Sequence, residues 1–292
     1  MMNKMNLEIG TPPVDEDAIA LEGVFEEARI ERLSPVFGAS ITGVDLSRPL
    51  TAEQQVWFRN FLTRYKVIAI RDQDIGHEAL ERFASYFGEP YTHPMAAAVG
   101  QTSAVNELRA DEKSTAAFGE TWHADMTSEE SPPTVTMLRL AVLPPHGGGD
   151  TLFADTVTAY ERLSAPLKAF LGGLTARHNS GIFSEKYGAS GNLPEAIHPV
   201  IKNHPISGLP TLFVNTRFTK SIVELGQGES RAVLEYLFHY IAETPDFQLR
   251  FRWSKDTLLV WDNRSTQHCA IFDYWPHTRV GYRVTLYEPK TA

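Results

Sequence analysis

The sequence predicts a mainly β protein with α-helices: a double-sheet β core, peripheral helices and long loops. Three observations carry that expectation. Short apolar runs with strand-like alternation recur along the chain, only four segments show helical periodicity, and two long stretches are polar and without period.

The elements follow in chain order. Val36 to Leu46 alternates as a strand. Thr51 stands as an N-cap with Glu53 in the first turn, and Val56, Phe58, Phe61 and Leu62 form a helical stripe. Val67 to Ile70 is a short apolar run, expected to be a buried strand. Glu78 to Phe87 is a second helix, closed by Gly88 with Pro90 beyond it. Gln101 to Gly119 is polar and aperiodic, a candidate active-site lid. Thr134 to Leu143 is a strand and Pro144 to Gly149 a turn. Val157 to Leu171 is a helix interrupted at Pro166, and His178 to His198 is a second long loop. Leu212–Asn215, Phe247–Trp253, Thr257–Trp261 and Arg279–Tyr287 are strands. Glu229 to Ala242 is a helix, with Val233, Leu237 and Ile241 four apart. Residues 1–28, rich in Pro and acidic side chains, are expected to be a mobile arm, and residues 29–292 one domain.

Bulk properties narrow the partners. A net charge of −9 argues against nucleic acid, which needs a basic surface. A small anion remains compatible, because a few local arginines can outweigh the global field. The lone Cys269 forms no internal disulfide and reads as a buried small apolar residue. No apolar run approaches the ~18 residues of a membrane span, and Met1 to Asp17 lacks the pattern of an export signal. A cytoplasmic location is the expectation, with no membrane partner.

Two distant stretches carry chemistry. Trp122-His123-Ala124-Asp125 puts an imidazole and a carboxylate on one side of an extended segment, since residues i and i+2 point the same way. Trp261 to His268 adds a second imidazole, followed by Arg279 and Arg283. Two His and one carboxylate leave one face of a metal open, the ligand set of non-haem Fe(II) oxygenases. Zinc hydrolases also use two His and a carboxylate, so a hydrolase remains a rival, as does a non-catalytic jelly-roll binding protein. In the final strand Arg279, Gly281, Arg283, Thr285 and Tyr287 share one face, opposite Val280, Tyr282, Val284 and Leu286. Two guanidiniums aimed at a metal fit two anionic ligands, since each can fork onto a carboxylate or a similar oxyanion.

From about Leu33 to Glu288 the chain resembles the taurine dioxygenase family of Fe(II)- and 2-oxoglutarate-dependent oxygenases. The resemblance rests on Phe37-Gly38-Ala39, Gly43 to Leu46, Arg71-Asp72-Gln73, Phe87-Gly88-Glu89 and the Trp122 to Asp125 stretch. It continues in Gly148 to Leu152, Ala159-Tyr160, His198 to Val200, Leu212 to Asn215, Phe218-Thr219 and Trp261 to His268. It implies a double-stranded β-helix, or jelly roll, with Fe(II), 2-oxoglutarate and O2 as cofactors. It implies that His123, Asp125 and His268 hold iron, and that Arg279 and Thr151 hold the far carboxylate of 2-oxoglutarate. His93, Phe218 and Arg283 then contact a small anionic substrate. Hydroxylation beside a sulfonate or sulfate ester would release sulfite or sulfate plus an aldehyde, with succinate and CO2; an aryloxyalkanoate is the alternative substrate. A homo-oligomer, dimer or tetramer, is expected.

Two positions depart from the family pattern. Ala96 stands where the family carries a tyrosine, and Gly119 where it carries an asparagine. Both changes imply a roomier, less polar pocket, suited to a chain longer than taurine's.

Overall fold

The computed structural model describes residues 24–91, 104–183 and 193–288. The protein is mainly β, with helices packed outside the sheets. An eight-stranded sheet runs in the order Arg29–Arg32, Ala39–Thr42, Val67–Ile70, Leu258–Asp262, Val135–Val142, Arg279–Tyr287 and Glu89–Pro90, with Asn106–Ala110 also paired to Arg279–Tyr287. A three-stranded sheet, Gln248–Phe251, Thr151–Asp155 and Thr266–Ala270, packs across from it.

The sheet periodicity of two explains how the core divides. Val67, Ala69, Leu138, Leu140, Leu259 and Trp261 turn inward and meet Phe153, Leu249 and Phe251 of the small sheet. Their neighbours Ile68, Ile70, Met137, Val260, Val284 and Leu286 turn outward and are covered by Phe58, Phe61, Leu80 and Phe83. Those aromatics come from the helices Ala52–Tyr65 and His77–Ser85. The central strands are therefore buried on both faces, which is why Val67–Ile70 reads as an unbroken apolar run. Behind the small sheet, Ala154 packs with Ala159, Leu171, Leu234, Leu237 and Ile241.

The helix Ala52–Tyr65 begins as the sequence indicates: Thr51 Oγ1 accepts from Gln54 N, and Gln54 returns a bond to Thr51 N. Its buried face differs by one position from the expected stripe. Trp57 joins Phe58, Phe61 and Leu62 in the core, while Val56 is exposed. The segment Val157–Leu171 is broken near Pro166 as expected, into Thr156–Glu161 and Ala165–Leu171.

Five expectations need correction. The expected lid contains the strand Asn106–Ala110, which pairs with Arg279–Tyr287; residues 101–103 lie outside the described residues. The strand expected over Val36–Leu46 is only Ala39–Thr42. Leu212–Asn215 shifts to Pro210–Leu212. His178, placed in a loop by the sequence, lies on the strand Thr175–Asn179. Residues 1–23 are outside the described residues, but Phe25 and Ala28, which the sequence reading assigns to the arm, are buried. Phe25 packs edge-on against Trp57 and Phe58, with ring centroids 5.3 and 5.5 Å away.

His178 is fully buried, with Nδ1 2.9 Å from Thr127 Oγ1, and faces the rings of His198 and Phe213. Burial pushes its pKa from 6.5 down to about 3. Between those values the unfolded chain binds a proton that the folded protein refuses, so acid destabilises the fold across this window. We expect His178→Gln to flatten the metal-free stability–pH curve there by up to about 1.4 kcal/mol per pH unit. Urea unfolding at several pH values checks this; an unchanged slope means that His178 is protonated without cost.

Candidate active site

The two chemistry-bearing stretches meet through their backbones. His123 N donates to His268 O at 3.0 Å, and His268 N donates to His123 O at 2.7 Å. This antiparallel bridge attaches Trp122–Asp125 to the edge of the small sheet. It also sets the imidazoles side by side, with ring centroids 4.1 Å apart. Asp125, two residues on, turns its carboxylate to the same place. Ligand atoms of His123, Asp125 and His268 all lie within 4.8 Å of one another, and all three residues are buried.

The surroundings fix the donor atoms. His123 Nδ1 lies 2.6 Å from Thr121 O, so the protonated nitrogen faces the backbone and Nε2 is left bare. Nε2 of His123 and Nε2 of His268 stand 3.7 and 3.9 Å from Asp125 Oδ1. Asp125 Oδ2 accepts from Thr136 Oγ1 at 2.8 Å and pairs with Arg283. Thr136 in turn accepts from Asn263 Nδ2 at 2.9 Å. One carboxylate oxygen is thus saturated and the other faces the imidazoles.

Charge states agree with that geometry. Burial holds both imidazoles neutral, His123 well below its ordinary range and His268 at about 4. Burial alone would raise the Asp125 carboxyl, but the neighbouring Arg283 outweighs it and holds it far below the usual carboxylate range. Two neutral imidazoles and a carboxylate, with the two Nε2 atoms bare and one carboxylate oxygen facing them, are a donor set suited to a divalent metal.

Arg279 and Arg283 lie on one face of their strand, as their spacing predicts, but their surroundings differ. Arg283 donates from Nε to Thr285 Oγ1 at 3.2 Å as well as pairing with Asp125. Among the described residues, Arg279 has no carboxylate partner, and its buried Nε makes no hydrogen bond. Gly149 makes room for it: a Cβ there would stand 2.7 Å from Arg279 Cδ. The Arg279 guanidinium lies over the Trp253 ring at 5.7 Å, and Trp253 Nε1 donates to Thr151 Oγ1 at 3.1 Å. Thr151 and Arg279 are therefore joined through one indole. A half-buried guanidinium with a buried, unbonded Nε and no carboxylate partner among the described residues fits an anionic ligand such as a dicarboxylate.

Phe218 is buried with its ring 6.4 Å from that of His123. His93 and Ala96 lie outside the described residues. Gly119 has φ +94°, and a Cβ there would lie 3.1 Å from His123 Cε1, so a side chain would strain the backbone and press on the first imidazole. Cys269 donates Sγ–H to Glu120 O at 3.0 Å, and burial raises its pKa to about 11, consistent with an inert thiol. Thr136 and Asn263 are among the site residues that sequence reasoning missed as functional groups. A cavity of about 1030 Å3 lined by Glu129, Lys202, Arg264 and Tyr287 does not include the triad.

The family model for taurine catabolism dioxygenases, the TauD, TfdA family, matches residues 29–285. The chain belongs to the TauD/TfdA family. An "alpha-ketoglutarate-dependent sulfonate dioxygenase" of Saccharomyces cerevisiae is 31% identical over 278 residues, covering 89% of this chain and 66% of that protein. An "alpha-ketoglutarate-dependent sulfate ester dioxygenase" of Pseudomonas putida is 32% identical, covering 85% of this chain and 86% of its own. The crystal structure of a taurine dioxygenase from Burkholderia xenovorans superposes with a TM-score of 0.77 at 34% identity, covering 90% of each chain. TauD/TfdA membership makes this chain a 2-oxoglutarate-dependent dioxygenase, with Fe(II), 2-oxoglutarate and O2 as its cofactor set. Among the described residues no helix is long and apolar enough to cross a membrane.

Proposed function

We propose that the protein hydroxylates an alkyl sulfonate or an alkyl sulfate ester at the carbon bearing the sulfur group or its ester oxygen. The product then collapses to sulfite or sulfate and an aldehyde, while 2-oxoglutarate becomes succinate and CO2. The observation that carries this reading is the buried His123–Asp125–His268 cluster beside two arginines on one strand face. The sulfonate and sulfate ester dioxygenases of yeast and Pseudomonas to which the chain is similar support the sulfur chemistry.

In this reading His123 and His268 would hold Fe(II) through Nε2, and Asp125 through Oδ1. Iron held there would supply activation of O2 beside the substrate. Arg279, with the Thr151–Trp253 bridge beside it, holds the far carboxylate of 2-oxoglutarate. Arg283 keeps one bond on Asp125 and one on Thr285, which leaves further donors of its guanidinium for the substrate anion. Phe218 packs the substrate chain, and His93 is assigned a substrate contact by the resemblance alone. Positioning the reacting carbon is the protein's chief contribution.

The same reading treats residues 29–292 as one double-stranded β-helix domain, supported by the two facing sheets and the Burkholderia superposition. It carries forward the expectation of a cytoplasmic homo-oligomer.

The test is succinate formation with Fe(II), 2-oxoglutarate and a panel of sulfonates, sulfate esters and aryloxyalkanoates. We expect a longer alkyl sulfonate or sulfate, such as the hexyl compound, to be turned over better than taurine, because Gly119 leaves no polar side chain beside the first imidazole. A clear preference for taurine overturns the pocket argument, and better turnover of an aryloxyalkanoate moves the assignment to non-sulfur acids.

A further inference from the structure

A third arginine stands at this site. Arg217 is 3% exposed, yet among the described residues no carboxylate pairs with it and its Nη2 is buried without a hydrogen bond. Three phenylalanines enclose its guanidinium: Phe118 at 5.2 Å, Phe183 at 5.5 Å and Phe218 at 5.7 Å from ring centroid to Cζ. Two of these walls border the metal cluster. Phe218 packs against His123, and Phe118 precedes Gly119, which abuts the same imidazole. The positive charge of Arg217 also reaches both imidazoles and helps to hold them neutral.

The side chain is aimed by a fixed turn. Asn215 Oδ1 accepts from Phe218 N at 2.9 Å, Asn215 O accepts from Thr219 N at 3.1 Å, and Asn215 N donates to Thr219 Oγ1 at 2.9 Å. Asn215 Nδ2 ties the turn to Thr127 at 2.9 Å. Aromatic faces offset part of the cost of burying a cation, but they accept none of the in-plane N–H bonds of a guanidinium. The unbonded Nη2 is open to an oxyanion arriving beside the phenylalanines. Arg283 is engaged by Asp125, and Arg279 sits apart with Trp253 and Thr151, so Arg217 is a separate binding element.

We propose that Arg217 is a specificity-determining residue that binds a second anionic group of the prime substrate, so that the preferred substrate carries an acidic group at each end. This rests on the reading of the site as an oxygenase site for an anionic substrate. A sulfonate or sulfate at Arg283 and a carboxylate at Arg217, joined by an apolar chain lying along Phe218, satisfies both cations.

The experiment is calorimetric binding to the full chain loaded with Fe(II) and 2-oxoglutarate in the absence of O2. Probes are ω-sulfoalkanoates of increasing chain length and the matching alkanesulfonates. In the wild type at least one dianion should bind about tenfold or more tightly than its monoanionic match. Arg217→Met, which keeps an unbranched chain among the phenylalanines, should abolish that advantage. It should leave monoanion and 2-oxoglutarate binding unchanged. Arg217→Lys, which keeps the charge, should retain part of the preference, and the wild-type comparison stands even if a variant fails to fold. Equal binding of every dianion and its match in the wild type overturns the proposal, as does a Met variant that keeps the preference or loses only 2-oxoglutarate affinity. Failure of the oxygenase reading shows separately, as absence of succinate with every compound while Arg217-dependent binding persists.

Discussion

Asp125→Ala is expected to abolish turnover and to cut Fe(II) affinity by far more than the roughly 10–100-fold typical of losses in the shell behind a metal's ligands. The change removes the carboxylate that faces both Nε2 atoms. It also leaves the Arg283 guanidinium and the Thr136 hydroxyl without their acceptor. Breaking a buried ion pair by removing one partner costs about 3–5 kcal/mol, and Arg283, with 14% of its side chain exposed, belongs at the lower end. The metal-free variant should therefore be less stable as well as inactive. Asp125→Asn separates the effects: it keeps the shape and the Thr136 bond but not the charge, so it should fold better than the alanine variant and still lose iron. Succinate formation, retained iron and urea unfolding measure the three quantities. Near-full activity with ordinary iron affinity in the alanine variant would remove Asp125 from the ligand set.

Arg279→Ala is expected to raise the KM for 2-oxoglutarate by about 30- to 1000-fold, since a buried charged partner of a carboxylate contributes about 2–4 kcal/mol. The structure adds a second, opposite expectation. In the ligand-free protein Arg279 is a half-buried cation with no carboxylate partner among the described residues, and desolvation lowers its pKa. Removing it should leave the free protein as stable as before or more so, while 2-oxoglutarate loses its power to stabilise the fold. Titration of 2-oxoglutarate and melting with and without it decide the matter. An unchanged KM would place the co-substrate elsewhere.

What the sequence made legible depended on period. His123 and Asp125 read correctly as a same-side pair because the segment is extended, and the bridge to His268 keeps it so. Arg279 and Arg283 were legible because Arg279–Tyr287 alternates along its whole length. Thr266–Ala270 carries His268 but was not resolved as a strand, since Gln267 and His268 are both buried and no apolar alternation marks it. Asn106–Ala110 was missed because among the described residues it pairs with one strand alone, and Glu107 and Arg109 keep it polar. Thr136 looked like an ordinary strand former; its role appears only once Leu138 and Leu140, two and four residues on, show which face turns inward. Arg217 was illegible for a longer-range reason. A cation in a turn reads as solvated, and its burial comes from Phe118 and Phe183, far away in the chain.

The partition of the cluster between the two sheets has a mechanical consequence. His123 and His268 hang from the edge of the small sheet, while the Asp125 carboxylate is anchored by Thr136 and Arg283 of the large one. A metal bound by all three would act as a rivet through both layers. Tightening or removing a rivet alters how two plates slide, not the plates themselves. Amide exchange should then slow on metal loading at Thr266–Ala270 and at Val135–Val142 together, with the helices Ala52–Tyr65 and Gln227–Glu243 little changed. The heat resistance of this enzyme would in that case track the free metal concentration of its surroundings, turning a catalytic ion into a gauge of whether the two halves of the scaffold hold together.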